Sequence, residues 1–279
     1  MLLTLRSDAL EATIDPTHGG EVVALRERGA SASLLAETPW SPTEPRAGDL
    51  DMETWTAAYR GGWQLLTPNA GDVCEVDGVR HGYHGRASND PWEPVASSER
   101  AARLRWRGHG LVVTRTYELT GSTLRATTRW EAEAAPAPMV HVEHVALGRA
   151  MLDPDAEVRV PPLRDGTPAR SERRRLDEVG ASFAAVGPLA EGRVEVVNAA
   201  RGSRVRLEWD ATELPWLWLW RENRGTGGIW DHRAEMLGIE PAATFAVEGL
   251  GRALELGQAI WVEPGRPIER RIALHVERA

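Results

Sequence analysis

The sequence predicts an all-β fold, a large antiparallel sandwich or barrel with few short helices. Three observations predict it. Short segments alternate apolar and polar residues, glycine-containing turns separate them, and one segment is apolar at every position. Side chains of a strand point to opposite faces in turn, so alternation gives one buried and one exposed face. A segment apolar on both faces is typical of a strand between two layers.

The strands can be assigned in order along the chain. Residues 102–133 alternate in three segments, ARLRWRG, LVVTRTYEL and TLRATTRWEAE, which predict an antiparallel meander. Residues 193–210 predict a hairpin that turns at Arg201-Gly202, and residues 258–277 predict two further strands around Pro264-Gly265. These turns carry the glycine and proline that tight connections favour.

The segment PWLWLW is the one that is apolar on both faces. Trp216, Trp218 and Trp220 share one parity, whereas Leu217 and Leu219 share the other. The pattern predicts a strand between two layers, with a row of indoles on one face.

Two segments depart from the strand pattern. Residues 170–185 predict one short helix with a solvated arginine face. Residues 38–54 are rich in proline and predict a long loop over one edge, where a lid would lie. No change of composition marks a linker, so we expect residues 1–279 to form a single domain.

Composition excludes several functions. The 279 residues carry a formal charge of −8, which argues against a nucleic-acid or anionic-membrane partner. The chain has no lysine, which excludes Schiff-base lysine chemistry, and Cys74 is its one cysteine, which excludes an intrachain disulfide. No stretch reaches the roughly 20 apolar residues of a membrane span, so we expect a cytoplasmic protein.

Two histidine pairs have the spacing HxxH, His81 with His84 and His141 with His144. Neither lies in a helical pattern, so the spacing does not predict a metal site. The segment MVHVEHVAL predicts a strand, which places His144 on one face and His141, with Glu143, on the other.

Glu240 stands in the apolar segment LGIEPAAT. It is either a strand-edge carboxylate in water or a base tuned by partial burial, and its sequence context leaves both open. Twelve tryptophans accompany two phenylalanines and three tyrosines, and most of the indoles are expected in the core. Trp63 and Trp218 are the two that we expect at a ligand, since an indole face stacks well on the C–H face of a pyranose.

Four blocks then resemble the aldose 1-epimerase family of galactose mutarotase-like proteins. THGGEVVALR (17–26) is similar to an early glycine pair before the first hairpin, and residues 61–95 resemble the block with a proline-asparagine turn and a His-Gly motif. EHVALGRAML, within residues 143–162, resembles the block of the catalytic histidine. Residues 238–276 resemble the block of the catalytic glutamate. The four occur in the expected order over nearly the whole chain.

The resemblance implies a β-supersandwich with a sugar cleft on its concave face and no metal or redox cofactor. It implies that His144 is the catalytic acid, that Glu240 is the base, and that His84 touches the sugar. The further sugar-binding residues expected are Asn69, Gln64, Trp63, Trp218, Arg86 and Arg221. The partner would be a small-molecule sugar, and the chain a monomer or homodimer.

The chain departs from the family pattern at two points, which indicates a divergent branch. No arginine follows Asn69 in PNAGD, where Arg86 would substitute, and HVALG stands where the family has phenylalanine-asparagine after the histidine.

Three other functions remain open from the sequence. The first is a non-catalytic carbohydrate-binding protein on the same fold. The second is a hexose-phosphate epimerase, in which Arg80, Arg86 and Arg221 would hold the phosphate. The third is a glycosidase, which needs a second carboxylate, from Asp72 or Asp231, beside Glu240.

Overall fold

The computed structural model describes residues 1–40, 46–153, 156–169 and 179–279. The strands are β1 (Leu3–Arg6), β2 (Leu10–Asp15), β3 (Glu21–Glu27), β4 (Trp63–Leu66), β5 (Cys74–Val76), β6 (Val79–His81), β7 (Glu93–Ser97), β8 (Ala101–Gly108), β9 (Leu111–Thr120), β10 (Thr123–Ala132), β11 (Ala137–Met139), β12 (Val142–Leu147), β13 (Glu157–Arg159), β14 (Gly180–Val186), β15 (Arg193–Asn198), β16 (Ser203–Trp209), β17 (Trp216–Asn223), β18 (Glu235–Ala242), β19 (Ile260–Val262) and β20 (Ile268–Arg278). The helices are α1 (Met52–Ala58) and α2 (Leu250–Glu255), with 3₁₀ turns at Arg86–Ser88 and Ala199–Arg201.

Within the described ranges the strands form two large antiparallel sheets. The first sheet has the order β1-β2-β3-β4-β12-β18-β17-β14, and the second has the order β13-β15-β16-β20-β10-β9-β8-β7. The meander β8-β9-β10 and the hairpin β15-β16 have the pairing that the sequence predicts. The all-β prediction is therefore confirmed.

The main core lies between the two sheets. Leu5, Leu25 and Val145 of the first sheet are fully or almost fully buried against residues such as Leu119 and Leu124 of the second. Burial of this apolar surface is the main stabilising term of the sandwich, at roughly 25 cal/mol per Å².

The tryptophan strand β17 lies inside the first sheet as predicted. Leu217 and Leu219 belong to the core between the sheets, whereas Trp218 and Trp220 lie on the opposite face. β17 pairs with β18 on one side and with β14 on the other.

The helix expected over residues 170–185 needs a correction. Residues 170–178 lie outside the described residues, and residues 180–186 form β14, an edge strand. Backbone pairing with β17 along the whole of β14 outweighs the local helical pattern, because tertiary context overrides a weak propensity.

The outer face of the first sheet, opposite the core, is covered by two helices and by loops. α1 begins within the segment expected to be a loop, of which residues 41–45 lie outside the described residues. Asp51 is its N-cap, since the carboxylate accepts a hydrogen bond from the backbone N–H of Thr54 at 2.8 Å. Trp55 and Tyr59, four residues apart, stack with ring centroids 5.0 Å apart.

An ion pair between Arg115 and Glu143 is buried between the sheets at the centre of the sandwich. Arg115 donates two hydrogen bonds to Glu143, at 2.8 and 2.6 Å, and both side chains are almost completely buried. Trp63 and His141 also bond the Glu143 carboxylate, at 2.6 and 2.9 Å. These bonds hold the pKa of Glu143 down at about 2, although burial opposes them. The network fixes β12 against the second sheet.

No helix in the described ranges is both long and apolar enough to cross a membrane.

Candidate active site

A cavity of about 330 Å³ opens on the outer face of the first sheet. Its floor comes from β12, β17 and β18, and its walls come from α1 and the loops around residues 71 and 83. Its volume lies at the lower end of the range of about 300–1,000 Å³ for small-molecule sites. Nearly half of its lining residues are aromatic, namely Trp55, Tyr59, Tyr83, Phe183, Trp218, Trp220 and Trp230.

Strand register brings His144 and Glu240 together on the cavity floor. Val142 faces Ala242 and Val145 faces Ile239 across β12 and β18, so the same register places His144 opposite Glu240. His144 Nε2 lies 3.6 Å from Glu240 Oε1, and the two residues are 4% and 2% exposed. Both line the cavity, whereas His141 points into the sandwich, as strand alternation predicts.

Burial shifts the two groups in opposite directions. It lowers the pKa of His144 to about 4 and raises the pKa of Glu240 to about 8, because desolvation disfavours each charged form. Between these values the pair holds one proton, and burial favours it on Glu240. One group can therefore donate a proton while the other accepts one, as general acid–base chemistry requires.

His84 presents a fixed hydrogen-bond donor to the same cavity. Its Nδ1 accepts a hydrogen bond from the backbone N–H of Gly71 at 3.1 Å. Burial lowers the pKa of His84 well below its usual value, so the ring is neutral and its proton sits on Nε2. The residue has φ of +57°, a conformation rare outside glycine and enriched at functional sites.

Trp218 lies in the cavity wall as expected, and its neighbour Trp220 joins it. Trp218 stands opposite Glu240 in the β17–β18 register. Its indole N–H donates to the carbonyl of Thr244 at 2.8 Å, and this hydrogen bond fixes the orientation of the ring. An indole fixed in this way offers an apolar surface to a ligand.

Trp63 does not line the cavity. It is fully buried between the sheets, where its indole N–H bonds Glu143. Gln64 points to the outer face and stands opposite His144 in the β4–β12 register, but it too is fully buried. Its amide N–H donates to Glu21 at 2.7 Å, so this donor is occupied. Neither residue is placed to contact a sugar in the cavity, since Trp63 lies between the sheets and Gln64 is buried with its amide bonded to Glu21.

Asn69 supports the cavity wall from outside the cavity. Its amide donates to the carbonyls of Asp72 and Gly82, at 2.8 Å each, and accepts from the backbone N–H of Leu250 at 2.6 Å. The side chain is completely buried and its hydrogen bonds are used by the backbone. Asn69 therefore ties three loop segments together and does not reach a ligand.

Arg86 and Arg221 are also absent from the cavity wall. Arg86 turns toward Asp90 and donates to its carboxylate at 3.0 Å. Arg221 has the parity of Leu217 and Leu219, so alternation along β17 directs it to the face opposite Trp218. Of the seven expected sugar contacts, the cavity wall contains His84 and Trp218.

Two aromatic residues at the cavity were not expected from the sequence, one in α1 and one at its C-cap. Trp55 and Tyr59 line the cavity, and the ring of Tyr59 meets the ring of His144 edge to face at 5.6 Å. An Asp51 cap followed by aromatic residues at a spacing of four was the signal that could have found them.

Gly238 makes room for the Glu240 carboxylate. A Cβ at this position would come within 2.5 Å of Glu240 Oε1 and 3.2 Å of the Trp220 ring. Gly238→Ala is therefore expected to displace the carboxylate and to lower kcat for any reaction of the pair by about 10- to 100-fold. Steady-state kinetics would measure the loss.

Gly251→Ala is the matched control for Gly238→Ala. A Cβ at Gly251, in α2, meets its neighbours at ordinary distances of 3.7–3.9 Å. This variant should keep full activity. Equal activity of the two variants would contradict the steric role of Gly238.

Among the described residues, no three His, Cys, Asp or Glu side chains converge as they would around a metal ion.

No protein-family model matches the sequence, and no curated protein sequence matches it. Solved structures do match the fold over nearly the whole chain. The protein Slr1438 of Synechocystis sp. PCC 6803 has a TM-score of 0.76 at 19% identity, covering 100% of this chain and 96% of its own. A galactose mutarotase related enzyme of Lactobacillus acidophilus has a TM-score of 0.72 at 13% identity, covering 99% and 97%.

A galactose 1-epimerase of Lactobacillus acidophilus NCFM is similar with a TM-score of 0.64 at 15% identity, over 100% of this chain and 94% of its own. The chain thus has the galactose mutarotase-like fold, and the low identities are consistent with a divergent branch of it. The resemblance seen in the sequence is confirmed at the level of the fold.

Proposed function

We propose that the protein is an aldose 1-epimerase, an isomerase that interconverts the α and β anomers of a free hexose. The observation that carries the proposal is the 3.6 Å approach of His144 to Glu240 on the floor of an aromatic cavity. Indole faces stack well on the C–H face of a pyranose, and the pair supplies both proton transfers that ring opening needs.

The pair holds one proton, which first moves from Glu240 to His144 across the 3.6 Å between Oε1 and Nε2. The Glu240 carboxylate takes the proton of the anomeric hydroxyl, the C1–O5 bond breaks, and protonated His144 gives its proton to O5. The free aldehyde then rotates about C1–C2. Closure reverses each transfer, because O5 returns a proton to His144 while O1 takes one from Glu240. Both half-reactions begin and end with the same number of protons on the pair.

The walls of the cavity favour an uncharged sugar over a sugar phosphate. Phosphate recognition uses bidentate arginine, and no arginine lines the cavity within the described residues. Of the three arginines considered for this role, Arg86 turns to Asp90, Arg221 lies on the opposite face, and Arg80 bonds the carbonyl of Asp49.

A binding protein without catalysis would not need a buried carboxyl group beside a buried imidazole. Holding Glu240 and His144 away from water costs folding stability, and a sugar lectin gains nothing from it. Asp72, the second carboxylate that a glycosidase needs, is exposed at the rim of the cavity. Asp231, the other candidate for that role, is also exposed and does not line the cavity.

The test is acceleration of mutarotation. Freshly dissolved α-D-glucose and α-D-galactose would be followed by polarimetry, with and without the protein. A rate above the spontaneous rate, proportional to protein concentration, is the expected result. Saturable sugar binding without any acceleration would instead assign the chain as a carbohydrate-binding protein.

The pH dependence of kcat/KM is expected to be bell-shaped. Below about pH 4 both groups are protonated and no base remains, since the pKa of His144 is about 4. Above about pH 8 both protons are lost and no acid remains, since the pKa of Glu240 is about 8. The acidic and basic limbs of the profile report apparent pKa values of the coupled pair, and neither value belongs to one residue alone. A profile of initial rates, corrected for the spontaneous reaction, would measure them; a rate that stays constant from pH 4 to pH 10 would contradict the assignment.

A further inference from the structure

Tyr59 carries a buried hydroxyl that has no hydrogen-bond partner among the described residues. The residue is 1% exposed and lines the cavity. An unpaired buried hydroxyl costs about 1–3 kcal/mol, so native proteins rarely keep one without a reason. The hydroxyl of Tyr117, by contrast, donates to the carbonyl of Gly20 at 2.8 Å.

We infer that the Tyr59 hydroxyl is a further substrate-contacting group, which donates a hydrogen bond to an oxygen of the sugar beside the His144–Glu240 pair. The inference rests on the proposed function for the identity of the ligand. It adds a residue that neither the sequence nor the resemblance assigns.

The position of the Tyr59 ring is fixed by packing. The ring stacks on Trp55 with an interplanar angle of 20°, and the Trp55 indole N–H is anchored to Ser88 at 2.9 Å. Edge-to-face contacts with His144 and Trp220, at centroid distances of 5.6 and 6.3 Å, hold it from the other sides. A ring held on these sides cannot turn its hydroxyl to another partner without breaking the stack.

The chemistry of the hydroxyl suits an oxygen of the substrate. Burial and the nearby Glu240 carboxyl raise the pKa of Tyr59 well above its usual value, so the phenol keeps its proton and donates. Ring opening shifts negative charge between O1 and O5, and a preorganised donor stabilises such charge. The Nε2–H of His84 is a second fixed donor in the same cavity.

Such a contact also creates specificity. A sugar that lacks the matching oxygen leaves the buried hydroxyl unpaired, and sites built for a substrate hydroxyl strongly reject analogues without it. The inference therefore concerns both the rate and the choice of sugar.

The test compares Tyr59→Phe with Tyr117→Phe. Tyr59→Phe keeps the stack on Trp55 and removes one oxygen. We expect its kcat/KM for the best sugar to fall about 10- to 100-fold, with a melting temperature equal to or above that of the wild type. Tyr117→Phe removes a satisfied hydroxyl outside the cavity, so its melting temperature should fall while kcat and KM stay unchanged.

A panel of deoxy sugars then locates the contact. If Tyr59 meets O2, O3, O4 or O6, the wild type discriminates against the deoxy sugar lacking that oxygen, and Tyr59→Phe does not. If it meets O1 or O5, discrimination is unchanged and kcat falls at constant KM. Wild-type kcat, KM and sugar selectivity in Tyr59→Phe would overturn the inference and leave the proposed function standing.

Quenching of tryptophan fluorescence by added sugar gives a readout that does not need turnover. If the wild type binds sugar without accelerating mutarotation, the proposed enzyme activity fails, and weaker binding by Tyr59→Phe still supports the contact. If the wild type neither binds nor converts any sugar of the panel, both proposals are wrong.

Discussion

We expect Glu240→Gln to abolish the acceleration of mutarotation, with a loss of about 10²–10⁴-fold in kcat. The amide fills the same space on the floor of the cavity but cannot accept the anomeric proton. His144 would keep its place opposite the new side chain, because the β12–β18 register does not depend on it. Polarimetry at pH 6 to 7, where the wild-type pair holds one proton, would measure the loss.

The same substitution is expected to stabilise the fold at high pH. The pKa of Glu240 is about 8 in the folded protein against an ordinary value of 4.5, so the unfolded chain loses this proton first as the pH rises. The free energy of unfolding is therefore not reduced by Glu240 below pH 4.5. Between pH 4.5 and about pH 8 it decreases by about 1.4 kcal/mol per pH unit. Glu240→Gln removes the decline, which denaturant titrations at pH 5 and pH 8 would show.

Glu222→Gln is the matched control. Glu222 is also buried, on β17, and its Oε1 accepts the backbone N–H of Gly225 at 2.7 Å, a bond that glutamine can keep. It does not line the cavity, so this variant should retain activity. If Glu240→Gln were as active as Glu222→Gln, the proposed base would be wrong.

Arg115→Met is expected to cause the largest loss of stability, about 3–5 kcal/mol in the free energy of unfolding. It leaves the Glu143 carboxylate buried between the sheets without its bidentate partner. The hydrogen bonds from Trp63 and His141 remain, but burial lowers the pKa of His141 to about 4, so a neutral imidazole faces the anion at pH 7. Denaturant unfolding followed by tryptophan fluorescence would measure the effect.

A double variant separates the ion pair from simple packing. Replacing Arg115 by Met and Glu143 by Leu removes both charges together, and buried pairs exchanged for apolar residues are often neutral or stabilising. We expect the double variant to recover most of the stability that the single variant loses. If the double variant is as unstable as Arg115→Met, the loss comes from packing, and the unpaired charge is not its cause.

The misplacement of Trp63 shows where alternation carries no information. All four residues of β4 are buried, so the segment WQLL has no polar face from which to tell inside from outside. The MVHVEHVAL segment was informative for the opposite reason, because its histidines and glutamate occur at both parities between apolar residues. Arg86 and Arg221 do not line the cavity, because Arg86 donates to Asp90 and Arg221 has the parity of Leu217 and Leu219 on β17.

Local sequence determined the strand class, the row of indoles on β17 and the separation of His144 from His141 onto opposite faces. Each follows from the two-residue period of a strand, which needs no knowledge of the neighbours. The tertiary structure alone decided that β12 pairs with β18 in the register that sets His144 against Glu240, and that α1 places Tyr59 beside them. Register depends on how distant segments bury their apolar faces against one another. No single segment of the sequence determines that long-range free energy.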